Sequence, residues 1–167
     1  MQSEKSKLLF EQIAKGKDEI KKLKSELSEK IKENFHGLTK ELFDSYSELD
    51  SFGWRQYTPY FNDGESCEFR SVHNYPTING NDENYDESEQ PEGVLDIVKL
   101  GSETIYDGNW KKVTNPDYNP YYNEIVKTVK EFLNQFDDDD MKDLFGDHVV
   151  IHITPNGIDV QDYDDHD

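Results

Sequence analysis

A single cysteine, Cys67, stands in this 167-residue chain. That excludes an intramolecular disulfide and any cysteine-rich zinc site, and it fits a reducing compartment. Cations are scarce too: 18 Lys and Arg face 37 Asp and Glu, a formal net charge of −19. Such a field repels phosphate backbones and anionic membranes, so neither direct nucleic-acid binding nor membrane binding is expected. No apolar run approaches the roughly 20 residues that span a bilayer. Residues 1–7 lead into a charged helix and carry no apolar leader core. The expectation is a soluble protein of the cytoplasm of a bacterial host cell. Glycine-rich phosphate loops, a nucleophile elbow and an HExxH pattern are all missing. An enzyme is therefore not expected, and no cofactor or metal is assigned.

Hydrophobic residues make up only 33% of the chain, but 13% of it is aromatic, so rings must supply much of the core. Each buried ring removes about 150–250 Å² from water. A disordered chain of this charge would be poor in aromatics, so folding is expected. The negative charge is uneven. Residues 1–50 hold ten Lys against eleven acidic residues, a net of −1, whereas residues 51–167 hold eight Lys or Arg against 26, a net of −18.

The fold class read from this pattern is α+β. It comprises a long, coiled-coil-like N-terminal helical arm (residues 1–50) and an acidic antiparallel domain (residues 51–162) with one or two packed helices and a mobile loop at 74–93. A frayed tail, residues 163–167, follows. In the arm, Leu9, Ile13, Ile20, Leu23, Leu27, Ile31, Phe35, Leu38 and Leu42 recur at helical spacing with a stutter between Leu27 and Ile31. Lys and Glu flank the stripe, as on a solvated helix that buries one seam. Ile13, Ile20, Leu23, Leu27 and Ile31 are the candidate oligomerisation residues, for a homo-oligomer through this helix. His36-Gly37 is a candidate break that would fold the arm into two helices.

Beyond the arm, two aromatic and β-branched runs around Asn62-Asp63-Gly64 read as a hairpin. Pro59 makes its first strand an edge or a bulged strand. Residues 94–113 add a strand or a short helical turn. Asn119-Pro120 is an N-cap followed by Pro at the first helical position, and Ile125, Val129, Phe132, Leu133 and Phe136 form one apolar face. A second short helix ends at Gly146. Residues 148–160 read as another hairpin, turning at Asn156-Gly157.

Asp137, Asp138, Asp139 and Asp140 are the residue type for a hard cation, but consecutive helical residues point about 100° apart and cannot converge on one ion. His148 and His152 lie too far apart along a strand to share one. Cys67 with His73 and Asp63 invites a nucleophile reading. A small buried hydrophobe is the simpler account of that cysteine.

Trp54-x-Gln56-Tyr57-Thr58-Pro59-Tyr60-Phe61-Asn62-Asp63-Gly64-x-x-Cys67-x-Phe69 resembles a hairpin of small uncharacterised bacterial and phage proteins. The resemblance covers these 16 residues, implies a hairpin and a prokaryotic or phage origin, and brings no catalytic residue. Trp54, Tyr57 and Tyr60 on it are either an aromatic binding ledge or the core of an aliphatic-poor domain.

The leading expectation is an acidic protein-binding module, such as a phage-encoded inhibitor, that occupies a basic, nucleic-acid-binding surface of a host protein. Its carboxylates would imitate a phosphate backbone. The candidate contacts are Asp82, Glu83, Asp86, Glu87 and Glu89 in the loop, and Asp137, Asp138, Asp139, Asp140 and Asp143. The alternatives are a structural protein that assembles through the arm and a metal-assisted hydrolase.

Overall fold

A computed structural model describes residues 4–60, 64, 66–81 and 94–163. The chain is α+β and divides into two compact units, Met1–Gly37 and Leu38–Asp167. Helix α1 (Glu4–Ser45) runs through the division. It is not interrupted at His36-Gly37, so the candidate break is not one: a helical Gly costs about 1 kcal/mol relative to Ala, too little to stop a helix of this length.

The second unit is built on a five-stranded antiparallel sheet. Its strands are β1 (Phe52–Tyr57), β2 (Arg70–Ser71), β3 (Thr77–Ile78), β6 (Val149–Thr154) and β7 (Gly157–Asp162). The order is β2-β1-β6-β7, with β3 also on β1, so β1 is an interior strand. That corrects the reading of β1 as an edge. The strand ends at Tyr57, two residues short of Pro59, and the missing N–H therefore falls outside the ladder.

In register, Phe52, Trp54 and Gln56 on β1 oppose Ile153, Ile151 and Val149 on β6. All six are buried and face the helices, while Arg55, Val150 and His152 face outward and are exposed. One packed and one wet face is the usual condition of an antiparallel sheet. Over the packed face lie α3 (Pro120–Leu133) and α4 (Asp138–Phe145). Phe132 of α3 meets Phe52 edge-on at 6.0 Å, Phe145 of α4 meets Trp54 at 5.4 Å, and Phe43 near the end of α1 stacks on Phe52 at 5.6 Å. Rings thus carry the centre of the core, as the composition requires.

Helix α3 starts where the sequence places it, with the Asn119 side chain accepting from Tyr121 N. Along the chain, between β3 and α3, come α2 (Ile97–Leu100) and a separate ribbon, β4 (Thr104–Tyr106) and β5 (Lys112–Thr114), so residues 94–113 form both a helical turn and strands. Asn115, buried, ties them together by donating from Nδ2 to the carbonyls of Lys99 and Ser102.

The expected loop at 74–93 holds structure in its first part. β3 is followed by Asn79-Gly80, both at positive φ, and Ile78 bridges Asn81 across that two-residue turn. This is the backbone of a type I′ hairpin, which an Asn-Gly pair favours. Asn79 Oδ1 accepts from Asp50 N and Ser51 N, its Nδ2 donates to Glu48 O, and so its side chain pins the entry to β1. The remainder, residues 82–93, lies outside the described residues. Tyr163, assigned to the frayed tail, donates its backbone N–H to His148 O and packs its ring at 5.4 Å from Tyr57.

Gly53 sits where a side chain has no room, because a Cβ there would fall against the backbone carbonyl of Ile151 on the neighbouring strand. Gly53→Ala should therefore cost about 2–3 kcal/mol by forcing β1 and β6 apart. Urea unfolding monitored by circular dichroism measures it; a midpoint equal to the parent's would refute the packing described.

Candidate interaction surfaces

The aromatic and acidic candidates meet at one place, the junction of β1 with α4. Strand alternation puts Trp54, Gln56 and Thr58 on one side. Gln56 is fully buried, and its amide is satisfied at both ends. Nε2 donates to Met141 O at 3.0 Å and to Gly146 O at 2.6 Å, and Oε1 accepts from Trp54 Nε1 at 3.0 Å. Thr58 continues the join: its N and Oγ1 donate to the two carboxylate oxygens of Asp147 at 2.8 and 2.6 Å. Desolvation raises the Asp147 pKa, but the hydrogen bonds from Thr58 and His148 N outweigh it and hold the group below its ordinary value. Lys142 adds an ion pair at 3.4 Å.

Trp54 is therefore core and no ledge. It is 4% exposed, which corrects the binding reading at that residue. Tyr57 is half-buried beside Tyr163 and Arg55, and Tyr60 is exposed but stacked on His148 at 4.6 Å. Cys67 is exposed, not the buried hydrophobe expected, since the strand begins three residues later at Arg70. His73 is buried with Nδ1 on Ser71 Oγ at 2.8 Å. The nucleophile reading therefore sets an exposed thiol against a buried imidazole, and Asp63 lies outside the described residues.

The acidic run is largely structural. Asp137 caps α4, accepting from Asp140 N, while Asp140 accepts from Asp137 N in a reciprocal capping box. Asp138 Oδ1 accepts from Ser71 N and braces β2 against α4. Carboxylates in a first helical turn are also favoured by the helix dipole. The side chains of Asp139 and Asp143, both exposed, make no hydrogen bond or ion pair among the described residues. No group of three or more His, Cys, Asp or Glu among the described residues is placed to hold a metal. Asp82, Glu83, Asp86, Glu87 and Glu89 lie outside those residues.

Two surfaces escaped the sequence reading. A groove of about 380 Å³ opens between the end of α1 and α3, lined by the apolar Leu38, Leu42 and Phe132 and by the polar Glu41, Glu131 and Gln135, among others. On the β4–β5 ribbon, Trp110 is 86% exposed at a φ of 57°, where bulky side chains are rare. Asp107 Oδ1 accepts from Asn109 N and Lys111 N and holds that turn. Asp107-Gly108-Asn109 between two β-branched stretches was the available signal.

On α1, Ile13, Ile20, Leu23 and Leu27 are each 55–64% exposed, and Ile31 is half-buried. No helix among the described residues is long and apolar enough to cross a membrane. Set against family models, curated proteins and solved structures, the chain matches none of them.

Two predictions follow from the junction. Gln56→Leu keeps the volume but strands Gly146 O and Trp54 Nε1 and leaves Met141 O only its partner within α4, and should cost about 2–3 kcal/mol by denaturant unfolding; a loss below about 1 kcal/mol would show that the amide is dispensable.

His73 lies below its ordinary pKa, first because burial disfavours its charge, partly offset by Asp138 and by hydrogen bonds to the Phe136 and Ser71 backbone. The unfolded chain takes up the proton near pH 6.5 and the folded chain only lower, so the stability this group contributes is complete above about pH 6.5 and is lost as pH falls through the folded value. Melting temperature should drop as pH goes from 7.5 to 5, with a shallower slope in His73→Gln; parallel slopes would contradict it.

Proposed function

We propose that the second unit is an acidic protein-binding module that takes its place on a basic surface of a partner protein, of the kind that otherwise holds nucleic acid. The observation that carries this reading is the charge that the fold leaves unneutralised. Residues 51–167 contain 26 acidic side chains and eight Lys or Arg, so at least 18 carboxylates have no cation of their own segment to pair with. A field of that size raises association rates with cationic partners and repels anionic ones.

Within the described residues, the contacts best suited to a partner are those that folding does not use. Asp139 and Asp143 on the exposed side of α4 are two. Glu41 and Glu131, which line the groove together with the apolar Leu42 and Phe132, are two more, and they fit a segment that combines Lys or Arg with an apolar anchor. An inhibitor carried by a phage is one setting in which such a module would act. Asp137 and Asp140 serve the helix cap, and their loss would report on folding.

The test is capture from a bacterial lysate at low and high salt, with the double substitution Asp139→Asn and Asp143→Asn alongside the parent. The expected result is a basic protein retained at low salt and released at high salt, bound at least about threefold more weakly by the variant at an unchanged melting temperature. Retention of the same proteins regardless of salt and of both substitutions would overturn the reading.

A further inference from the structure

We infer that the exposed face of α1 over residues 9–27 is a dimerisation seam whose occupant is a second copy of the same helix, running parallel and in register. This goes beyond the acidic-surface reading and does not rest on it, since it concerns the near-neutral part of the chain.

Placed on a seven-residue repeat, Ile13, Ile20 and Leu27 take the first core position, and Leu9 and Leu23 take the fourth. Ile at the first and Leu at the fourth position is the combination that favours two parallel strands. These five side chains are 50–64% exposed. At about 100 Å² of removable surface each, and with Phe10 and the stems of Lys17 and Lys24 beside them, they offer roughly 700 Å² per helix, close to the ~800 Å² each partner gives to a stable interface.

The flanking charges decide the direction. The position before each first core residue holds Gln12, Glu19 and Glu26, and the position after each fourth one holds Phe10, Lys17 and Lys24. Side by side and parallel, Glu19 of one copy faces Lys24 of the other, and the two-fold axis makes that pair twice. Run antiparallel, the acidic flank faces an acidic flank and the basic faces a basic. Glu26 is already engaged along its own helix by Lys22 at 3.8 Å and does not compete. The outer positions, among them Lys15, Asp18, Lys22 and Ser25, are polar. Gly16 in a core position and the shortness of the seam make the dimer a modest one. Each copy also carries its own excess of negative charge, so the dimer tightens as salt screens that repulsion.

Analytical ultracentrifugation of the full chain from about 1 to about 200 μM should show the mass rising from 19.6 kDa toward twice that value. Ile20→Asp should weaken the dimer at least about tenfold; because Ile20 is exposed, melting of the second unit should not change. Glu19→Lys alone should weaken it, and Glu19→Lys with Lys24→Glu should restore it. In a Cys67→Ser background, Leu27→Cys should form an interchain disulfide under mild oxidation, as facing first core positions do only in parallel register. A monomer at the highest concentration, a dimer indifferent to Ile20→Asp, a larger oligomer, or a dimer in which Leu27→Cys fails to cross-link would each overturn the inference.

Discussion

Gln56 is a polar side chain with no contact with water, in the interior strand of the sheet, and its amide has to be matched atom for atom. Left unmatched, a buried donor or acceptor costs about 1–3 kcal/mol, so an arrangement that shifts α4 along the sheet is penalised several times over. The match is specific because both ends are fixed. Oε1 is held by the indole of Trp54, two residues back on the same face, and Nε2 is aimed at Met141 O and Gly146 O. Apolar contacts alone would accept a range of positions for α4; the amide accepts one. β1 is also the strand on which β2, β3 and β6 all pair, so anchoring it sets the frame for the rest of the sheet. Thr58 and Asp147 extend the same join past the end of the strand.

Seen from this junction, the Trp54-x-Gln56-x-Thr58 pattern is structural. Gln56 and Thr58 make the side-chain hydrogen bonds that hold α4 and the loop after it, and Trp54 fixes Gln56 from behind. Alternation in the sequence already places the three together, so the geometry of that face was legible. What was not legible is that a polar residue, Gln56, is buried on it, because its Nε2 partners are backbone carbonyls far along the chain, those of Met141 and Gly146. A carbonyl has no residue identity to read.

Local signals fared according to how local their physics is. The N-cap at Asn119, the stop at Gly146 and the reversal between β6 and β7 depend on a few neighbouring residues and are where the sequence places them. The β6–β7 loop itself is Pro155-Asn156, with the positive φ at Gly157. The other Asn-Gly pair, 79–80, makes the type I′ turn. It was obscured by the acidic stretch after it, although the same local rule applies. Asp137, Asp138, Asp139 and Asp140 stand in the sequence as candidate partner contacts, and only the reciprocal bonds of Asp137 and Asp140 reveal a helix start. The division of roles within that run is a matter of which side of α4 each residue occupies.

The buried polar groups that organise the second unit are uncharged: Gln56, Asn79, Asn115, Ser71 and a His73 held toward its neutral form. Neutral amides and hydroxyls close these contacts without the desolvation penalty of a buried ion pair. Among the described residues no carboxylate is buried, so their number is limited chiefly by mutual repulsion. That repulsion disfavours the compact state and weakens with salt. The two associations argued for the chain have opposite electrostatic characters as a result. A contact made by the excess carboxylates is strongest at low ionic strength, while an apolar seam on a near-neutral helix, joining copies that repel each other elsewhere, is strongest at high ionic strength. Ionic strength alone thus separates a protein held by its charge from one held by its helix.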